Sequence, residues 1–195
     1  MMPNWTFHIL EDSDDERFCS LEQRPDTIIK SWRLKEGLPM GEDFPPDAVF
    51  RMDKRAGNVA PDFLPNIFSF LMVSPKVRSL FEKAEVNGVE YLPFVLQDKK
   101  GKAISRDYCV ANLLGGIDCL DSERSKFKMS PMDPSQIFTL YKLNLRTDKI
   151  PTNVKLFRLG QQLTTYIIRS DLLEMLRNEG ITGFTTLDLD TDVIL

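Results

Sequence analysis

The chemistry open to this chain starts from two groups of carboxylates. The first is the run Glu11-Asp12-Ser13-Asp14-Asp15-Glu16. Like charges packed so closely repel one another and stay hydrated, so the run reads as a solvated loop. As a functional surface, Asp12, Asp14, Asp15 and Glu16 would steer a basic partner and fix its orientation. The second group is Asp118, Asp121 and Glu123. Their oxygens could hold a hard cation for a metal-dependent enzyme, the alternative in which these three residues do the work. Two features oppose it: on a strand the Asp118 and Asp121 spacing points the side chains to opposite faces, and the stretch lacks the regular ligand spacing of a calcium loop. The expectation is therefore no catalytic set, no metal and no cofactor, which leaves the same three residues as either structural strand-end and turn residues or part of a partner-binding edge.

The remaining reactive side chains are few. His8 is the single histidine and follows Trp5 and Phe7 in an apolar run, so it cannot build a multi-histidine centre and reads as structural. Cys19, Cys109 and Cys119 have neither metal-ligand spacing nor an even number for disulfides, and apolar neighbours would raise a thiol pKa rather than activate it. Gly115-Gly116 lacks the spacing of a dinucleotide fingerprint and the lysine and hydroxyl residue of a phosphate loop; it reads as a turn or bulge.

Composition narrows the function classes. The net charge of −4 opposes a general nucleic-acid binder, which needs a basic stripe to displace counterions, and mildly favours a basic partner. No apolar run approaches the roughly 18 residues that span a membrane. Met1-Met2-Pro3-Asn4 has neither a basic segment nor a small-residue cleavage site behind it, so the expectation is a protein that stays in the cytoplasm.

These residues need elements to hold them. The stretch Phe70 to Leu96 organises the chain. Phe70-Leu71-Met72-Val73 suits a buried strand, Ser74 and Pro75 form a helix start, and Val77, Leu80, Phe81 and Ala84 make one apolar stripe. Asn87-Gly88 should stop the helix and Val89 to Leu96 forms the next strand. A second copy follows: Tyr166-Ile167-Ile168-Arg169-Ser170 matches Phe70 to Ser74, Leu173 and Leu176 keep the offsets of Val77 and Leu80, and Gly183, Phe184, Leu187 and Leu189 fall where Gly88, Val89, Leu92 and Phe94 stand. Further strands are expected at Trp5–Leu10, Ile28–Leu34, Ala48–Met52, Ala103 onward, Tyr108–Leu114, Ile117–Asp121, Ile137–Leu145 and Val154–Leu159. Ser122–Pro134 reads as a loop and Asp188–Leu195 as a fraying acidic tail. The fold class is α+β, a largely antiparallel sheet with two main helices from a repeated strand-helix-strand unit. The chain reads as one domain, 1–195, with 1–60 an N-terminal part and 61–184 the core.

Across that core, Asp62-Phe63-Leu64, Phe70 to Ser74, Gly88 to Pro93, Tyr108, Asn112, Ile117 to Asp121, Ser125, Phe157-Arg158-Leu159, Ser170 and Thr182-Gly183-Phe184 resemble the eleventh numbered immunity-protein family of bacterial polymorphic toxin systems, once a domain of unknown function first flagged in a myxobacterial protein. The resemblance implies a cytoplasmic antidote that binds a co-encoded toxin and needs no catalytic residues. An acidic surface suits a basic toxin. A third reading is an accessory structural protein of a secretion cluster, homo-oligomeric through an exposed strand edge.

Overall fold

In the computed structural model, which describes residues 5–195, the chain is α+β. Met1–Asn4, on which the reading of the leader rests, lies outside the described residues. The strands are β1 (Phe7–Asp12), β2 (Val49–Arg51), β3 (Met72–Val73), β4 (Val89–Pro93), β5 (Val95–Gln97), β6 (Ala103–Ser105), β7 (Cys109–Leu113), β8 (Lys126–Met129), β9 (Ile137–Lys142), β10 (Leu156–Leu159), β11 (Gln162–Arg169) and β12 (Phe184–Asp188). The helices are α1 (Trp32–Lys35), α2 (Pro75–Lys83) and α3 (Ser170–Asn178). In place of one large sheet there are four small ones: β10-β11-β1-β12 and β3-β7-β4, both antiparallel, β2-β5-β6 with a parallel β2–β5 pair, and the β8–β9 hairpin.

Both spans singled out in the sequence are strand, helix, strand, and each holds a third strand between its outer two. In the first, β7 lies between β3 and β4, so that Met72 and Leu92 both face Val110. In the second, β1 lies between β11 and β12, and Ile167 and Leu187 both face Ile9. Ninety-five residues separate Met72 from Ile167 and Leu92 from Leu187, so one spacing aligns both halves of each unit. This shifts the upstream match by one residue: Ser74 corresponds to Arg169, not Ser170. The middle strand follows the first unit in the chain but precedes the second.

The helix ends show the same shift. Ser74 caps α2, its Oγ accepting from the Val77 amide at 3.3 Å with Pro75 at the first helical position, as the sequence suggests. Arg169 holds the capping position of α3 without a side-chain cap, and its guanidinium instead grips Asp171 in the first turn at 2.7 and 2.9 Å. Helix α2 ends at Lys83, four residues before the Asn87-Gly88 stop expected from sequence. The Val86 amide bonds Phe81 O and the Glu85 amide bonds Glu82 O, which places Glu85 in the left-handed region at φ 55°. The same pair of bonds closes α3, from Ile181 to Leu176 O and from Gly180 to Arg177 O, with Gly180 at φ 65°. A lysine from elsewhere reaches each helix end, Lys155 to Ala84 O and Lys76 to Glu179 O, where positive charge complements the helix dipole.

The apolar stripes of α2 and α3 meet in one core: Val77, Leu80 and Phe81 from one, Leu172, Leu173 and Leu176 from the other, with Val73, Ala111, Leu10 and Ile168 from both sheets. The outer face of the first sheet packs on a second core built from Cys19 to Phe70, and that of the second sheet on a third core from β9, β10 and the C-terminal segment.

Several expected elements differ. Ile28–Leu34 is a turn followed by the start of α1, because its amides bond locally (Arg33 to Lys30 O, Leu34 to Ser31 O) rather than to a neighbouring strand. Val89–Leu96 divides at Phe94, where Val95 turns its amide to Ala48 O and joins another sheet. Ile117–Asp121 makes only isolated bridges, at Ile117 and Leu120. Within Ser122–Pro134, β8 pairs with β9 because Phe127 packs into the third core opposite Leu140. The acidic tail does not fray: Leu195 exchanges two backbone bonds with Leu140, and Val193 bonds Tyr141 O.

Candidate partner-binding surface

The acidic run is split by the fold. Glu11 and Asp12 belong to β1, and only Asp14, Asp15 and Glu16 lie beyond its end. Asp12 Oδ2 accepts the Asn66 amide at 2.9 Å. Its side chain still touches water, but the protein packed round it pushes its carboxyl up to about 6, a shift that the Asn66 bond only partly opposes. Glu11 is raised as well, by burial first and by the charge of Asp12 second. Both line a recess of about 150 Å³ with Asn66, Ser69 and Tyr166. Asp15 is bound by the Arg17 guanidinium, which lowers its carboxyl to about 2. Asp14 and Glu16 are exposed.

The second acidic group is arranged for local structure. Asp121 Oδ1 accepts the amides of Glu123 and Arg124, each at 3.2 Å, and so caps the turn that enters β8. Asp118 receives the Gln161 side-chain amide, and Glu123 points to solvent. Among the described residues, no three His, Cys, Asp or Glu side chains converge where they could hold a metal ion. His8 Nδ1 lies 2.8 Å from Asp188 Oδ1 across the β1–β12 pair. All three cysteines are buried and free, and burial raises their thiols to about 11 for Cys19 and Cys109 and about 12 for Cys119.

Sequence reasoning missed the polar hubs. Arg158 is 2% exposed and, among the described residues, meets no carboxylate; it donates to the carbonyls of Leu113, Leu163 and Leu34 at 2.7–2.8 Å and to Asn112 Oδ1 at 3.3 Å, and it lies over the Tyr166 ring. Asn112 in turn donates to Glu90 Oε2 and to Leu38 O. Burial works to raise the Glu90 pKa, but bonds from the Met40 and Gly41 amides and from Asn112 outweigh it and hold the carboxyl below its ordinary value. A second hub joins the two units through Asp62, which accepts from Ser74 Oγ at 2.8 Å and from the amide and hydroxyl of Thr182 at 3.1 and 3.0 Å. In a third, Ser125 and Asn144 clasp each other beside Asp121. The clue available in the sequence was a charged residue set between Phe157 and Leu159 in an apolar run, which has to find partners inside the protein.

Thus Asp62, Ser74, Glu90, Asn112, Asp121, Ser125, Arg158 and Thr182, all quoted for the resemblance, hold the chain's own elements together, while the open acidic surface gathers at the Asp12 end of β1. Fold and surface together define a class: an α+β protein whose family-like polar residues serve its architecture and whose densest run of carboxylates stands at the end of β1, the strand next to a sheet edge. The model of the Immunity protein family (Imm11) matches residues 11–191, and the chain belongs to that family. The match reaches well into the first sixty residues, beyond the 61–184 core on which the resemblance rests. A search of curated proteins finds no match.

Proposed function

We propose that this protein is a cytoplasmic, non-catalytic antidote that binds a toxin encoded beside it and blocks that toxin by covering its working surface. The observation that carries the reading is the family match over residues 11–191. The acidic corner at Glu11 to Glu16 supports a basic partner, because opposite charge accelerates encounter and orients the two molecules. Growth of cells expressing the neighbouring reading frame tests it: the frame alone should arrest growth and coexpression should restore it. Arrest that persists in the presence of soluble, folded antidote contradicts the proposal.

A further inference from the structure

The geometry points to the free edge of β12 as the docking site for an extended, basic strand of the toxin, an inference that rests on the immunity reading. Hydrogen-bond directions follow from the flanking pairs. Ser170 N bonds Thr6 O and Ser13 N bonds Gly183 O, so even-numbered residues of β1 face β11 and odd-numbered ones face β12. Thr185 and Leu187 therefore bond to β1, and the N–H and C=O groups of Phe184 and Thr186 point outward. Among the described residues these outward backbone groups have no intramolecular partner. A row of unpaired backbone donors and acceptors is recognised by another extended chain.

The equivalent edge of the first unit is interrupted. Gly88 O accepts from Leu114, which makes Val89, Tyr91 and Pro93 the outward residues of β4; Pro93 has no donor, and the Arg78 guanidinium sits over the Tyr91 ring at 4.7 Å. The chain also covers the adjoining corner itself, since Glu90 and Asn112 are bound by Leu38, Met40 and Gly41. Their counterparts in the second unit, Thr185 and Glu11, face each other across β12 and β1, and among the described residues no other segment hydrogen-bonds their side chains; the nearby segment at Asn66 binds Asp12 instead. Strand β12 contains no proline and no lysine.

Charge selects the occupant. Asp12 and Asp14 stand at one end of β12, and Asp188, Asp190 and Asp192 follow at the other. Lys142 engages Asp190 at 2.8 Å, and Arg177 from α3 reaches the Thr186 hydroxyl. Among the described residues, Asp12, Asp14 and Asp192 meet no cation. Antiparallel pairing of β12 with a second copy would bring the Asp12 end of one chain to the Asp188 end of the other, like charge against like; a basic strand meets complementary charge at both ends.

The test uses the purified, catalytically inactivated product of the neighbouring reading frame as probe. Thr186→Pro deletes the outward donor without removing a bond to β1, and Thr186→Ala keeps it. Thr186→Pro should bind about tenfold or more weaker with its melting temperature nearly unchanged, while Thr186→Ala stays within about twofold. Should the proline variant not fold, Asp14→Lys combined with Asp192→Lys serves instead: association should slow about tenfold at low salt, and the difference should shrink as ionic strength rises. Wild-type affinity in the folded proline variant, or in the charge-reversed one, overturns the inference alone. A concentration-dependent dimer that Thr186→Pro abolishes assigns the edge to a second copy and overturns it too. Failure of the wild-type chain to bind the probe removes the immunity reading and this inference together.

Discussion

The two strand-helix-strand units share a backbone and differ in what occupies equivalent places. The first closes itself. Its helix start is capped by Ser74, its middle strand presents Asn112 and Leu113 to the interior, and residues 38–41 cover the corner through Glu90. In the second unit the same positions of the middle strand are Glu11 and Asp12, the helix start is an Arg169–Asp171 ion pair, and the corner is held by a single bond from the Asn66 amide to Asp12. The contrast separates two demands on one architecture: one copy binds its middle-strand asparagine and the Glu90 carboxylate through its own chain, whereas the other places carboxylates there, beside an edge strand free of proline.

The strongest way to break the comparison is at the glycines that enter the last strands. A Cβ at Gly183, φ 90°, would overlap the Phe63 carbonyl and press on Pro61, whereas one at Gly88, φ 71°, would meet nothing within 4 Å. Gly183→Ala should cost about 3 kcal/mol, and Gly88→Ala, bearing only the left-handed penalty, about 1 kcal/mol. Chemical denaturation of both variants measures the difference.

The helix starts come next. Ser74→Ala removes both the α2 cap and a bond to Asp62 and should cost about 2 kcal/mol at neutral pH, and the share due to the cap is the same in acid. Asp171→Asn should cost about 1–2 kcal/mol at neutral pH. Here the loss depends on pH. Arg169 lowers the Asp171 pKa in the fold, so the pair's contribution is complete above the ordinary aspartate value of 3.8 and disappears as pH falls through the lower folded value. Melting curves from neutral to strongly acidic pH should converge for Asp171→Asn and wild type, and remain apart for Ser74→Ala.

The helix ends sharpen the comparison from the other side. Glu85 occupies in α2 the left-handed position that Gly180 occupies in α3. Glu85→Gly should stabilise by about 0.5–1 kcal/mol and Gly180→Ala should destabilise by a similar amount, visible as opposite shifts in urea midpoint.

The smallest effect belongs to Asp12. The fold raises the Asp12 pKa from 3.8 to about 6, so its favourable contribution is full below 3.8 and is lost as pH rises through 6. Asp12→Asn, which can still accept from Asn66, should be more stable than wild type above pH 6 by about 1 kcal/mol or less, since contact with water screens the charge, and equal to it below pH 3.8.

Local signals made the first unit legible. Ser74-Pro75 announces a helix start within two residues, and the alternation through Ile137–Leu145 announces β9. What escaped depends on partners distant in sequence. Strand β8 exists because Phe127 meets Leu140, the tail is ordered by Leu140 and Tyr141, and Arg158 is tolerated because carbonyls at 34, 113 and 163 converge on it. The acidic run was visible as composition. That it divides into two residues of a strand and a short turn, beside an edge with unpaired backbone, follows only from the pairing of β1 with β12.

Amide hydrogen exchange of the chain alone and with the inactivated neighbouring toxin tests most directly whether the two equivalent edges have different roles. In the free protein the outward amides of Phe184, Thr186, Val89 and Tyr91 should all exchange faster than those of Thr185 and Leu187. On binding, Phe184 and Thr186 should slow by about tenfold or more while Val89 and Tyr91 stay as they were. A complex that protects β4 and leaves β12 unchanged, or that protects neither edge, contradicts the account.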